Sequence, residues 1–249
     1  MGKVFIVTGA NQGIGLELVK MLYPTGVTIY LAGRSQERVN KAIEQVTSSA
    51  QLVPATPATL KYLQLDLSDL TAIKSAVAEF AKHEERLDIL WNNAGIGSNP
   101  VGTTTKQNIE GHVGTNCVAP LLFTQQLLPQ LQSAAASAPP GSVHVIWTGS
   151  LMIDTFAPEG GIDFSSIEAP STTNPNRDYA ISKCGNIFLA VEAAERWGQE
   201  FGIVSVCQNP GNLLTNIYAH QSALLMGVLK RVLYEPKMGA YTMLYAGFS

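Results

Sequence analysis

Tyr179 and Lys183 stand four residues apart at the start of a strongly apolar stretch, and near the N-terminus Thr8-Gly9-Ala10-Asn11-Gln12-Gly13-Ile14-Gly15 forms a glycine-rich turn. On a helix, positions i and i+4 share one face, so a phenol and an ammonium would project together into whatever cleft that turn borders. The chemistry this points to is proton transfer beside a bound nucleotide. Alone the pair is weak, since chance supplies such a spacing in roughly one chain in three of this composition.

The elements around the pair strengthen it. Short β-rich runs, Val4 to Thr8, Val27 to Ala32, Leu60 to Leu65, Leu87 to Trp91, Ser142 to Trp147 and Ile203 to Gln208, alternate with helical patterns near 14–23, 35–48, 69–82, 106–133 and 179–201. Alternation of this kind predicts an α/β fold, a doubly wound parallel sheet in three layers built by right-handed crossovers. With 249 residues, 46% of them hydrophobic, residues 1–249 read as a single domain. Segments 49–59 and 134–141 read as connections.

Strand Val4 to Thr8 runs into Gly9, where a tight turn is needed. Gly13 lets the backbone approach a pyrophosphate, and Gly15 allows close packing of the helix whose free N-terminal amides face the anion. The spacing is G-x-x-x-G-x-G. The second strand ends at Gly33-Arg34-Ser35, where a guanidinium can pair with a ribose 2′-phosphate; solvation at a helix start is the plainer role. Asp66 closes the third strand, where a carboxylate either receives an adenine amino group or caps the following helix, whose expected cap is Ser68.

Taken in order, these residues resemble the short-chain dehydrogenases/reductases. The resemblance covers nearly the whole chain: T-G-x-x-x-G-I-G at Thr8 to Gly15, Asp66-Leu67, Asn92-Asn93-Ala94-Gly95, Asn116, Ser150, Tyr179-x-x-x-Lys183, and Pro210-Gly211 with Thr215. It implies a Rossmann-like fold. It also implies that Tyr179 is the general acid/base, that Ser150 hydrogen-bonds the substrate oxygen, that Lys183 holds the nicotinamide ribose and favours the tyrosinate, and that Asn116 anchors a water in a proton relay. A phenol titrates near 10 in water, and moving it about three units toward neutrality requires roughly 4 kcal/mol, which a neighbouring lysine and a cationic nicotinamide can provide.

The cofactor residues carried over are Gly9, Asn11, Gln12, Gly13, Ile14 and Gly15 in the turn, with Ile14 near the nicotinamide. Arg34, Asp66 and Leu67 follow, then Asn93, Ala94 and Gly95 on the adenosine side. Tyr179 and Lys183 are next, and Pro210, Gly211 and Leu213 form the far wall with Thr215 near the carboxamide. Asn11-Gln12 stand where many NADP-preferring members have a basic residue, so the 2′-phosphate rests on Arg34, helped by Arg38. NADP(H) is the expected cofactor, with NAD(H) the alternative.

The 28 residues between Ser150 and Tyr179, with Gly160-Gly161-Ile162-Asp163-Phe164, look like the branch holding retinol-dehydrogenase-like and WW-domain oxidoreductase-like proteins and many fungal reductases. Lid elements are expected near 151–178 and 212–235. Family members normally continue past a helix like that at 239–246 into a seventh strand, so the resemblance leads to the expectation that the sixth strand lies at the sheet edge unless a partner or another segment covers it. The implied activity interconverts a carbonyl and an alcohol on a small to medium, fairly apolar metabolite. The alternatives are a redox-neutral isomerase, dehydratase or cyclase, and a silent nucleotide-binding interaction protein.

A net charge of −3 without a basic run argues against nucleic acid, and no stretch reaches the about 18 apolar residues of a membrane span. Cys117, Cys184 and Cys207 read as reduced thiols in a cytoplasmic protein, and no metal is expected. His83, His112 and His144 read as core or surface residues, and His220 as a lid residue near substrate. The apolar faces of helices 106–133 and 179–201 suit a homodimer.

Overall fold

Successive side chains of a strand face opposite ways, so apolar strands covered on both sides must feed two separate cores. The computed structural model, which describes residues 2–49, 55–97, 99–164, 167, 174–214 and 233–249, shows that division. Strands β1 (Val4–Thr8), β2 (Thr28–Gly33), β3 (Thr59–Gln64), β4 (Ile89–Asn92), β5 (His144–Thr148) and β6 (Val204–Gln208) form one sheet in the order β3-β2-β1-β4-β5-β6. Every pairing is parallel.

Val4, Ile6, Tyr30, Leu90, Val145 and Trp147 face one core, with helices α3 (Leu70–Ala81), α4 (Ala119–Gln126), α5 (Leu128–Ser137) and α7 (Pro175–Ala193). Phe5, Val7, Ile29, Leu31, Ile89, Trp91 and Ile146 face the other, with α1 (Gly13–Leu22), α2 (Gln36–Ser49) and α8 (Pro236–Phe248). Trp91 and Trp147 are fully buried on opposite faces, each contributing on the order of 2 kcal/mol or more by burial. Three layers result, as the alternation predicts.

Between β1 and β4 the strand order reverses, which opens a crevice at the strands' C-terminal ends. Outward from β6 no further strand is paired among the described residues. Helix α8 packs on the sheet face, where Trp91 Nε1 donates to Met243 O at 2.9 Å and Gly247 lies against the indole. This helix is longer than the 239–246 expected.

Two helix starts depart furthest from expectation. Residues 106–110 are not helical: Thr104 bridges Glu110 antiparallel, and Asn108 turns the chain at φ 59°. The helical path starts at a short turn, Gly111–Val113, whose amides at His112 and Val113 are capped by Glu110. It then passes through a π segment, Gly114–Val118, before α4, and α5 runs to Ser137 into the expected connection. The other departure is at α7, which begins at Pro175 rather than 179, because Asn174 caps the amides of Asn176 and Arg177 and proline suits the first helical turn. Farther upstream, α3 is capped by Asp69, not Ser68.

Candidate active site

The glycine-rich turn occupies the crevice between β1 and β4. Gly9 adopts φ 67° and donates to Ala32 O at 2.8 Å, and a Cβ there would meet Ala94 Cα at 3.0 Å. Gly13 also has positive φ, at 57°. A Cβ on Gly15 would lie 2.7 Å from Asn93 Nδ2 and 2.9 Å from Gly9 O, so only glycine lets α1 start this close to β4. Gln12, at the N-cap of α1, makes no side-chain cap hydrogen bond to the first turn, and no acidic residue sits in that turn. Its amides and positive dipole end therefore suit a phosphate group.

Thr8 and Asn93 tie the two strand ends together. Thr8 Oγ1 accepts from the amides of Asn93 (3.0 Å) and Ala94 (2.8 Å), while Asn93 Nδ2 donates to Thr8 O at 2.8 Å. Just past β2, Arg34 is exposed with no ion-pair partner among the described residues, and the Asn11 amide oxygen lies 3.7 Å from where a Cβ on neighbouring Gly33 would be. Asp66 Oδ1 accepts from Ser68 N and Oγ at 2.9 and 2.6 Å, so one carboxylate oxygen caps a turn. Leu67 is buried in the core, and Ile14 packs half-buried against the α1 side of the sheet.

Of the proton-transfer candidates, Tyr179, Lys183 and Asn116 come near one another, beside Gly95. Lys183 is 3% exposed and donates to Thr148 O, the end of β5, at 3.1 Å; Asn186 Nδ2 donates to the same carbonyl at 2.9 Å. These bonds dock α7 onto the strand. Burial lowers Lys183 to about 8, below an ordinary ammonium. Its Nζ lies 5.6 Å from the centre of the Tyr179 ring, as the i,i+4 spacing predicts.

Asn116 lies in the π segment, a local widening that often marks functional positions. Its Oδ1 accepts from Ile96 N at 2.8 Å, and its Nδ2 donates to Ile96 O and to Ser182 Oγ at 2.9 and 3.0 Å. The amide thus clamps the loop after β4 to α7. A Cβ on Gly95 would lie 3.2 Å from Asn116 Oδ1 and 3.3 Å from Lys183 Nζ, so that glycine admits both groups. Ser150 stands two residues beyond β5, and its Oγ accepts from Met152 N at 3.2 Å at the start of α6 (Met152–Phe156), which packs against α7.

The insert after α6 also lies along α7. Gly161 approaches Cys184 and Phe188, and Ile162 reaches toward Gly185. Gly211, at φ 87°, follows Pro210, while Leu213 is buried and packs toward Gly239 of α8. Thr215, His220 and most of the expected lid at 212–235 lie outside the described residues. The three cysteines are free, and burial pushes the Cys117 and Cys207 thiols up to about 11, which keeps them neutral.

The sequence reading missed a buried ionisable group beside the tyrosine. His112, read as core or surface, is 2% exposed; its Nδ1 lies 2.9 Å from Glu110 Oε1, and its ring meets the Tyr179 ring edge-on at 6.2 Å. Asp178 is buried with them, and ligand-capable atoms of Glu110, His112 and Asp178 all lie within 4.8 Å of one another. Glu110 was hidden because the antiparallel turn before it has no periodic signal. His144 keeps the core role expected of it, bonded to Gly141 O and Ala246 O.

The model of the short chain dehydrogenase family matches residues 3–152. A short-chain dehydrogenase/reductase of Pestalotiopsis fici, iacJ, is 58% identical over 250 residues, covering 100% of this chain and 76% of the relative. Another from Phomopsis amygdali is 43% identical over 251 residues, covering 100% and 74%. Among solved structures, the Pseudomonas aeruginosa RhlG/NADP active-site complex superposes with TM-score 0.75 at 20% identity, covering 100% of this chain and 90% of that one. A short-chain dehydrogenase from Sphingobium yanoikuyae in complex with NADPH gives TM-score 0.70 at 20% identity, covering 98% and 83%. A 3-oxoacyl-[acyl-carrier protein] reductase from Brucella melitensis in complex with NAD gives 0.72 at 20%, covering 99% and 91%. With the family model matching residues 3–152 and relatives 58% and 43% identical along its whole length, this chain belongs to the short-chain dehydrogenase/reductase family.

Proposed function

We propose that the protein is an NADP(H)-dependent oxidoreductase that interconverts a carbonyl and an alcohol on a small to medium apolar metabolite. The observation that carries this reading is Lys183 Nζ, buried, 5.6 Å from the Tyr179 ring and close to Asn116 and Gly95 at the mouth of the dinucleotide crevice. An uncapped helix start, two positive-φ glycines and the close approach at Gly95 fit a nicotinamide dinucleotide. Arg34, without a carboxylate partner among the described residues, favours a 2′-phosphate over a bare ribose.

In this reading the bound nicotinamide supplies or accepts the hydride. Tyr179 gives its phenolic proton to the carbonyl oxygen during reduction, or takes it from the alcohol during oxidation, and Ser150 Oγ steadies the same oxygen. Lys183 holds the ribose hydroxyls and, as an ammonium, favours the tyrosinate. Asn116 keeps the loop from Gly95 to Ile96 registered against α7. Exposed Leu151 and Phe164 of the insert provide apolar surface for substrate, and the likewise exposed Ile187, Phe188 and Val191 on α7 provide a strip for a second copy of the chain.

The test is NADPH oxidation across a panel of apolar aldehydes and ketones. The reading expects turnover with at least one carbonyl that disappears in Tyr179→Phe. Undiminished turnover in that variant would sink the mechanism, and product formed without net NADPH oxidation would replace it with a redox-neutral reaction.

A further inference from the structure

Two carboxylates and an imidazole are enclosed next to the residue that carries the proton. Glu110 caps the helical turn through its own two oxygens: Oε1 accepts from His112 N at 3.0 Å and Oε2 from Val113 N at 2.8 Å. Because Oε1 also faces His112 Nδ1 at 2.9 Å, that nitrogen donates, which fixes the ring and leaves Nε2, enclosed and without a hydrogen-bond partner among the described residues, as the second nitrogen. The imidazole so fixed stands edge-on to Tyr179.

Asp178 joins this group from α7, one residue before Tyr179. Its exposure is 5%, and its charge is felt against Glu110 and His112 from the capped turn and Arg177 from its own helix. Arg177 is shared, lying 3.3 Å from Asp163 of the insert. Lys183 brings a cation to the Tyr179 ring from the next turn of α7, and nothing in the cofactor or substrate reading uses Glu110, His112 or Asp178.

We propose that Glu110, His112 and Asp178 form a positioning unit that holds the Tyr179 ring and, through its two negative charges, keeps the phenol protonated, as a counterweight to Lys183. The unit rests on the reading of Tyr179 as acid/base and deepens it. A phenol must carry its proton to reduce a carbonyl, and nearby carboxylates disfavour the phenolate just as the ammonium favours it. The unit therefore extends carbonyl reduction to higher pH than Lys183 alone would permit. Burial first, then the neighbouring Glu110, raises Asp178 to about 6, so the second negative charge develops as pH rises through that value and is in place in the alkaline range where a phenol ionises.

The experiment records phenolate absorbance against pH for the wild type and for Asp178→Asn and Glu110→Gln, each minus its Tyr179→Phe counterpart. Both variants keep shape, and the amide oxygen introduced by Glu110→Gln would still offer an acceptor to the capped amides. The proposal expects Tyr179 to ionise about one pH unit lower in each variant, with the high-pH limb of NADPH-dependent carbonyl reduction shifted by the same amount. Ionisation at an unchanged pH in both variants overturns it. The absorbance needs neither cofactor nor substrate, so persistence of turnover in Tyr179→Phe would remove the acid/base reading while this titration still decides whether the unit acts on the phenol. His112→Asn, which keeps a donor for Glu110 but removes the ring, should lower kcat about tenfold at unchanged KM; equal kcat there contradicts the positioning half.

Discussion

The two walls of the crevice are built from different materials. On the β1 side, the turn from Gly9 to Gly15 offers backbone: positive φ angles, uncapped amides and clearances of 3 Å or less that a Cβ would close. On the β5 side, α7 offers buried side chains whose behaviour depends on one another, Lys183 on Thr148 O and two thiols, Asp178 on Glu110 and His112. A backbone wall binds by shape and dipole and fails by steric exclusion. A wall of ionisable groups fails by loss of charge or of orientation, leaving shape intact.

Substitutions that separate binding from turnover therefore sharpen the contrast. The largest effect is expected from Tyr179→Phe, a loss of about 10³-fold in turnover with NADPH affinity kept, measured by steady-state kinetics beside fluorescence titration. Lys183→Met should lose both, and retained NADPH affinity in that variant would detach the lysine from the cofactor. Next comes Gly15→Ala on the backbone wall. The added Cβ meets Asn93 Nδ2 and Gly9 O, so a cost of about 1–3 kcal/mol in denaturant stability and weaker NADPH binding are expected, with turnover at saturating cofactor largely kept. Wild-type stability in that variant would mean the turn yields.

A third effect reads out as stability against pH. Asp178 holds its proton more tightly folded than unfolded, since its folded value is raised from 3.8 to about 6. At this one group the native state binds more protons than the unfolded state between those values, so its contribution to stability is full below about pH 4 and is lost as pH rises through 6. Asp178→Asn should lack this fall and be more stable than wild type at pH 7 by on the order of 2–3 kcal/mol at most, as thermal melts would record. A less stable variant at pH 7 would show that the carboxylate has a stronger partner than burial allows.

The same contrast explains what the sequence disclosed. The six strands were legible because apolar runs of five or six residues alternate with helical patterns, and the backbone wall was legible because only glycine satisfies it, so its spacing survives as a motif. Tyr179 and Lys183 were legible because i,i+4 neighbours meet on any helix. Glu110, His112 and Asp178 were not: the first two lie 68 and 66 residues from Asp178, in a turn set by Asn108 at positive φ, and their significance exists only once α7 docks. The helix expected from 106 failed for the same local reason. At α7 the Asn174-Pro175 start signal was present and overlooked, and the Gly95 approach to Lys183 joins residues with no shared pattern.

The most direct test is a fluorescence titration with NADPH and, separately, NADH, on the wild type and on Arg34→Ala. The account predicts preferential binding of NADPH, weakened about tenfold in the variant while NADH affinity is unchanged. Failure of folded protein to bind either nucleotide would contradict it.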